Sequence, residues 1–208
     1  MITDNIQIAN LYASLMEEVK LRIFNIEHAT SNKTGLTPQF VNEFCYLQLR
    51  MIGELIALGC LVIHGDIAAT QSNKFQKEYS ADSILAMLEP LHRNFFPSPV
   101  TVVVIPEENR VELQEPSPGY ITKEELIKLI RDCGGQLHRG SMKKILSPVK
   151  QETTDFSEVV TRTNSIVRRL ESHKISTLDN RTHFICILSN ASDNNRVQVA
   201  VAQSPSLA

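Results

Sequence analysis

The sequence predicts an α+β protein that is predominantly helical. Long antiparallel helices come first, and a smaller region of antiparallel β-hairpins and two or three helices follows. Apolar residues recur at steps of three or four over residues 5–28, which is typical of an amphipathic helix, and they fill most of residues 38–65. Short β-branched or alternating segments follow near residues 100–115 and 182–202. A chain of 208 residues, 42% of them hydrophobic, can form one large or two small globular domains.

The second long helix has a clear start. It begins at Thr37-Pro38, because threonine is a good N-cap and proline is favoured at the first helical position. Its later part is apolar on every side, which predicts a central buried helix or a helix in a subunit interface. Gly53 and Gly59 would let a neighbouring helix approach closely. A third helix is predicted over residues 81–92.

A change of composition separates two regions of the chain. Six of the nine prolines fall between Pro90 and Pro118, so we expect a boundary near residue 97. The predicted regions are a helical one over residues 1–96, a mixed α+β one over residues 97–203 and a disordered tail over residues 204–208.

The mixed region has elements of its own. They are a hairpin of residues 100–105 and 110–115, a helix that begins at about residue 122 and ends at Gly134-Gly135, a helix over residues 155–173, and a hairpin of residues 182–188 and 196–202. Thr122 and Glu125 form a capping box for the first of these helices. A short helix is also expected after Ser141.

Charge is distributed unevenly along the chain, although the net charge is only −2. Residues 1–121 carry 8 lysines and arginines against 14 acidic residues, whereas residues 122–208 carry 13 against 9. The basic half suits an anionic partner such as a protein, a nucleic acid or a nucleotide. Alternatively, the two halves attract each other or a second subunit.

The strongest candidate for ligand chemistry is the segment from Arg131 to Lys144. Gly140-Ser141 can open a short helix, whose free backbone N–H groups suit a phosphate. The candidate anion-binding residues are Arg139, Ser141, Lys143 and Lys144 of this segment, together with Arg162 and Arg169 of the following helix. Arg162 and Arg169 are seven residues apart, so they should project from the same side. The alternative is a basic turn that caps a helix and binds nothing.

Two pairs of residues in the second helix are four apart and therefore share a face. Arg50 and Glu54 lie beside the most apolar stretch, and because an isolated buried charge is unfavourable, we expect a buried ion pair that fixes helix register or an interface. An internal polar site is the alternative. Cys60 and His64 could supply two metal ligands, but no second pair has matching spacing, so we predict no metal site.

Several classes of protein are not suggested by the sequence. It has no phosphate-binding glycine-rich loop, no dinucleotide fingerprint and no nucleophile elbow, so we predict no cofactor. Four widely spaced cysteines and the absence of a secretory signal predict reduced thiols and a cytoplasmic protein. The apolar window of residues 44–63 contains two charged side chains, so we predict no membrane span.

The spacing of Arg131 and His138 resembles the Arg-x(4–6)-His element of HEPN-type proteins. Many members of that family are helical, metal-independent ribonucleases of defence or toxin systems. The resemblance implies a dimer in which an arginine and a histidine from both subunits meet in one cleft, with Arg131 and His138 as the catalytic candidates. A histidine titrates near neutrality, which suits proton transfer.

Two functional hypotheses follow. The leading one is a non-enzymatic interaction or regulatory protein that acts as a homodimer and whose basic half, at residues 122–175, contacts an anionic partner. The alternative is a metal-independent, HEPN-like ribonuclease centred on Arg131, His138 and Arg139. Cleavage of RNA in the presence of a chelator, and its loss in a His138→Ala variant, would separate the two.

Overall fold

The computed structural model describes residues 4–31, 34–105, 107, 110–137 and 155–204. Its helices are α1 (Asn5–Thr30), α2 (Pro38–Ile63), the single turn α3 (Asn73–Gln76), α4 (Ala81–Leu88), α5 (Lys123–Leu137) and α6 (Ser157–Leu170). Its strands are β1 (Ser98–Pro99), β2 (Thr101–Ile105), β3 (Arg110–Gln114), β4 (Ser172–Ser176), β5 (Thr182–Asn190) and β6 (Arg196–Gln203). The predicted α+β class is confirmed: long N-terminal helices precede antiparallel strands and further helices.

α2 is the central helix, and two glycines allow its neighbours to approach closely. A Cβ atom at Gly59 would lie 2.7 Å from Cε2 of Tyr12 in α1. A Cβ atom at Gly53 would lie 2.5 Å from Cγ1 of Ile130 in α5. The expected close packing at both glycines is therefore present, and α2 packs against α1, α4 and α5.

The length and apolar composition of α2 would allow it to cross a membrane. Its most apolar window has a mean hydropathy of 1.6, but 61% of that window is buried inside the chain. Burial of this kind is usual for the core helix of a globular fold. The helix also has an outer side, on which Phe40 and Leu47 are 55% and 44% exposed.

The strands form two separate sheets. β1, β4, β5 and β6 make a four-stranded antiparallel sheet in that order, and β2 pairs only with β3. Alternate residues of β4 and β5, such as His173, Ile175, Phe184 and Cys186, are buried under the helices. α1 packs against β5 and β6, and α6 packs against β1, β4 and β5. Helices thus cover one face of the sheet, and no described helix packs against the other, which we call the open face.

Both predicted hairpins are present, but three boundaries differ from the prediction. α5 continues through Gly134-Gly135 to Leu137, since a helical glycine costs only about 1 kcal/mol relative to alanine. α4 ends at Leu88 rather than at residue 92. α6 ends at Leu170 and is followed by β4, whose five residues were predicted as helix because a short alternating segment after a long helix carries little signal of its own. The predicted short helix after Ser141 lies outside the described residues, and so does the predicted tail beyond Ser204.

One hydrophobic core extends across the boundary that composition suggests near residue 97. Its buried members run from Ile8 in α1 to Leu188 in β5 and include Phe95, just before that boundary. α1 reaches the sheet directly, so the N-terminal helices and the C-terminal strands bury the same surface. This arrangement places the end of α6 between two loops, where the candidate site lies.

Candidate anion-binding groove

A groove of about 750 Å³ lies between the loop after α4, the end of α6, and β4 with the turn that follows it. Three cationic side chains line it: Arg93, Arg169 and Lys174. Asn94 and Asn180 add amide groups, and no aspartate or glutamate is among the described residues that line it. Its volume is within the range of small-molecule sites. The groove therefore offers positive charge and hydrogen-bond donors without a competing carboxylate.

Arg169 is the fixed element of this groove. It is 9% exposed, its Nε donates to the carbonyl oxygen of Ile121, and one Nη donates to the carbonyl oxygen of Pro97 at 2.6 Å. Its guanidinium carbon lies 5.1 Å from the ring centroid of Phe96 and 4.7 Å from that of Tyr120. Such contacts hold a guanidinium in one orientation and offset part of its desolvation. The second Nη donates to no described residue.

The charge of Arg169 has no partner of opposite sign at ion-pair distance among the described residues. Burial lowers its pKa, while Tyr120, Glu124 and Glu125 raise it from a longer range. Carbonyl oxygens and aromatic rings stabilise a cation but do not neutralise it. An anion in the groove would supply the missing charge.

The local sequence explains why Arg169 is placed here. It belongs to the last turn of α6, where free carbonyl groups favour cationic side chains. Residues 93–98 pass one side of this turn and residues 120–122 pass the other, and the backbone N–H of Ile121 donates to the carbonyl oxygen of Ser165 at 2.9 Å. The two loops thus bring their carbonyl groups and rings to a side chain at the helix end.

His92 fixes the edge of the groove through two hydrogen bonds. Its Nε2 is 3.0 Å from the carbonyl oxygen of Ser176, which can only accept. Its Nδ1 is 3.3 Å from the backbone nitrogen of Asn94, which can only donate. The two contacts together define the Nε2–H tautomer. His92 therefore joins the loop after α4 to the end of β4, and the positive charge of the groove comes from Arg93, Arg169 and Lys174.

Two of the six anion-binding residues predicted from the sequence lie in the described part of the chain, and of these Arg169 lines the groove while Arg162 does not. Arg162 lies 3.3 Å from Asp132 and 2.7 Å from Glu158, so its charge is matched within the chain. A continuous basic surface that joins Arg162 and Arg169 to the segment from Arg131 to Lys144 stays a prediction. The other four, Arg139, Ser141, Lys143 and Lys144, lie outside the described residues.

One of the two catalytic candidates, Arg131, lies in the described part of the chain. Arg131 is exposed on α5, and its Nε lies 3.7 Å from a carboxylate oxygen of Asp82 in α4. His138 lies outside the described residues. The catalytic role of this pair stays a prediction.

Arg50 and Glu54 form the expected ion pair, with Nε 3.1 Å from Oε1. Their side chains are 43% and 24% exposed. We expected a buried pair, but within one chain this pair is only partly buried. A role of this pair in an interface stays a prediction.

No group of three or more histidine, cysteine or acidic side chains among the described residues could hold a metal ion. The imidazole of His64 instead contacts two carbonyl oxygens, with Nδ1 2.8 Å from that of Cys60 and Nε2 3.2 Å from that of Ser176. The Cys60 thiol is buried, and burial raises its pKa far above the usual range. Both residues therefore contribute to hydrogen bonding and packing in the interior of the fold.

A second set of buried polar groups lies between α1 and the sheet. Nδ1 of His173 donates to the carbonyl oxygen of Leu170 at 3.0 Å, and Nε2 accepts from the hydroxyl of Tyr12 at 2.7 Å. Burial lowers the pKa of His173 to about 4 and raises that of Tyr12 well above its usual value. Both ring nitrogens are satisfied inside the core, so this pair connects α1 to β4.

His92, Arg93 and Lys174 were not singled out by the sequence. His92 and Arg93 are adjacent, Lys174 lies more than eighty positions later, and none of the three belongs to a charged cluster. The only signal for Lys174 is its place in an alternating segment with buried His173 and Ile175, which would put it on the open face of a strand. That signal becomes usable only when β4 is recognised as a strand.

Comparisons with protein-family models, with curated proteins and with solved structures found no match to this chain.

Proposed function

We propose that this protein is a non-enzymatic interaction or regulatory protein that binds a phosphate-bearing ligand in the groove of Arg93, Arg169 and Lys174. The observation that supports the proposal is the buried, fixed guanidinium of Arg169, which has neither a counter-charge nor a partner for its second Nη group among the described residues. Buried charges in proteins are otherwise paired, so an external anion completes this environment.

Phosphate fits the groups that line the groove. The remaining Nη group of Arg169 can donate to a phosphate oxygen, and charge-assisted bonds of this kind are stronger than neutral ones. Arg93 is exposed and Lys174 is half-buried on the open face of the sheet, so both can reach a ligand held by Arg169. Phe96 already packs against Arg169, which leaves no free ring in the groove for base stacking. Recognition would therefore be of the phosphate rather than of a base.

The test is a binding titration of the full chain with three probes: inorganic pyrophosphate, a nucleoside triphosphate and a short single-stranded RNA. An Arg93→Gln, Lys174→Gln double variant removes two charges without touching the buried Arg169, and we expect about tenfold weaker binding for each cation lost. Lys128→Gln, an exposed change on α5, is the control and should bind as the natural chain does. Affinity should fall with added salt.

Four outcomes are informative. Binding of all three probes indicates a phosphate site, and preference for RNA indicates contacts beyond the groove. Equal binding by the double variant and the control would reject the groove. Cleavage of the RNA in the presence of a chelator, if lost in His138→Ala, would reject the non-enzymatic part of the proposal in favour of the HEPN-like ribonuclease.

A further inference from the structure

β6 is the outer strand of the four-stranded sheet, and its far edge pairs with no strand among the described residues. It has eight residues, and Arg196 at its first position is the only charged one. The rest of it is Val-Gln-Val-Ala-Val-Ala-Gln, which favours extended structure. Natural proteins usually protect such an edge with lysine, proline, a bulge or a covering element.

The hydrogen bonds at the two ends of β5 show which backbone groups of β6 point outward. The N–H of Ser204 donates to the carbonyl oxygen of Arg181, so even-numbered residues of β6 face β5. On the other side of β5, the N–H of Leu188 donates to the carbonyl oxygen of Glu171 and the N–H of Thr177 to that of Thr182, so even-numbered residues of β5 face β4. Because strand residues alternate, Val197, Val199, Val201 and Gln203 direct their backbone groups away from the sheet.

One of these outward groups is already satisfied. The N–H of Val197 donates to Oε1 of Glu17 at 2.6 Å, and the ladder with β5 is irregular near the same end of the strand. α1 thus protects the start of β6. The backbone groups of Val199, Val201 and Gln203 form what we call the free row, because no described residue forms a hydrogen bond with their outward groups.

We propose that a second copy of this chain pairs with this free row, β6 against β6 in antiparallel orientation around Val201. In that register Val201 lies opposite Val201 of the second copy and Val199 lies opposite its Gln203, so every outward group from 199 to 203 gains a partner. The register leaves the N–H of Val197 with Glu17. It also places the two copies of Arg196 beyond opposite ends of the paired segment, so no like charges meet.

The pairing has a consequence for the proposed groove. A two-fold axis perpendicular to an antiparallel sheet keeps the open faces of both copies on one side. Lys174 projects from that open face, since its neighbours His173 and Ile175 are buried under the helices. A dimer formed through β6 would therefore present two grooves on one surface. The dimer proposal itself rests on the edge of β6 and does not require the groove to bind phosphate.

The test uses two positions on the open face of β6, Ala200 and Ala202, which lie opposite each other across the proposed interface. In an A200K/A202K variant, lysines of the two copies face each other, and we expect the dimer to dissociate about ten times more readily. In an A200K/A202E variant, lysine faces glutamate, and we expect dimerisation to be retained. The measurement is solution mass as a function of concentration, with thermal unfolding of each variant as a check on folding.

The two variants share their positions, so a folding defect at these sites cannot produce the expected difference between them. A natural chain that stays monomeric at every concentration would overturn the proposal. Equal dimerisation of both variants would also overturn it. A dimer that is instead broken by Leu47→Glu on the outer side of α2 would place the interface there, as the sequence first suggested.

Discussion

The interior between α1 and the sheet and the groove beside α6 both bury polar side chains. They differ in how many hydrogen-bond and charge partners those side chains have. Beneath the sheet, His173 donates to a backbone carbonyl and accepts from Tyr12, so both of its nitrogens are satisfied. In the groove, Arg169 is fixed by carbonyl groups and rings but keeps an unmatched charge and one Nη group without a described partner. A complete set of partners indicates a structural role, whereas an incomplete set at an open groove indicates a ligand.

The same contrast exists within α6. Arg162 pairs with Asp132 of α5 and with Glu158 of α6, while Arg169, two turns later, pairs with no carboxylate in the part of the chain that the structure describes. Sequence spacing treats the two arginines as equivalent. The contacts of Arg162 link α6 to α5, whereas the contacts of Arg169 hold its guanidinium at the groove.

The largest expected effect is that of Arg169→Ala on stability. The change leaves two buried carbonyl groups without donors and removes two ring contacts, so we expect a loss of about 3–5 kcal/mol in the free energy of unfolding. Arg162→Ala is the matched change, and it should cost about 1 kcal/mol or less because its ion pairs are partly exposed. Urea unfolding of both variants measures the difference. Equal losses would contradict the distinction between the two arginines.

The second effect is a dependence of stability on pH. Burial holds the pKa of His173 at about 4 in the folded chain, against 6.5 as its usual value. The folded state therefore favours the neutral ring, and its stability is fully present above pH 6.5 and is lost as the pH falls towards 4. A difference of that size corresponds to a loss of about 3 kcal/mol. Urea unfolding across this interval measures it, and His173→Gln should flatten the slope.

The hydrogen bond between Tyr12 and His173 should contribute less than the titration does. Tyr12→Phe keeps the ring in the core but leaves Nε2 of His173 without its donor, so we expect a loss of about 1–2 kcal/mol at neutral pH. Thermal or chemical unfolding is the measurement. A Tyr12→Phe chain as stable as the natural one would show that this bond is not required in the core.

The smallest effect concerns glycines, and its sign should differ between two positions. Gly53→Ala places a Cβ atom 2.5 Å from Ile130, so we expect a net loss of about 1–2 kcal/mol despite the better helix propensity of alanine. Gly134→Ala, in α5, meets no atom within 4 Å and should stabilise the chain by about 0.5–1 kcal/mol. Ile130→Val in the Gly53→Ala background should recover part of the loss. Two changes of the same sign would contradict this reading of α2 packing.

Local signals predicted the helices well. The Thr122 and Glu125 capping box is present, since the N–H of Thr122 donates to Oε2 of Glu125 at 2.8 Å and the N–H of Glu125 donates to Oγ1 of Thr122 at 3.1 Å. Both hydrogen bonds of the capping box join residues three positions apart, so the local sequence contains the whole interaction. The hairpin of β5 and β6 was predictable for the same reason, because two alternating segments flank a polar loop.

The candidate site was predictable only in part, because its members come from distant segments. The basic residues of α6 make Arg169 a candidate, but the residues next to it in the sequence do not distinguish it from Arg162. Arg93 and Lys174 meet it only because the loop after α4 and strand β4 converge at the end of α6. Pairing of strands that are far apart in the sequence decides that convergence.

By itself, the sequence determined the α+β class, the long helices α1 and α2, the close approach at Gly53 and Gly59, and the C-terminal hairpin. Each of these depends on periodicity, on caps or on residue size, which are local properties. The tertiary structure alone decided that β1 and β4 join that hairpin in one sheet, that described carboxylates pair with Arg162 but not with Arg169, and that no described strand pairs with the outer edge of β6. Those outcomes depend on which distant groups share a low-dielectric interior and which remain exposed, and only the folded chain sets that.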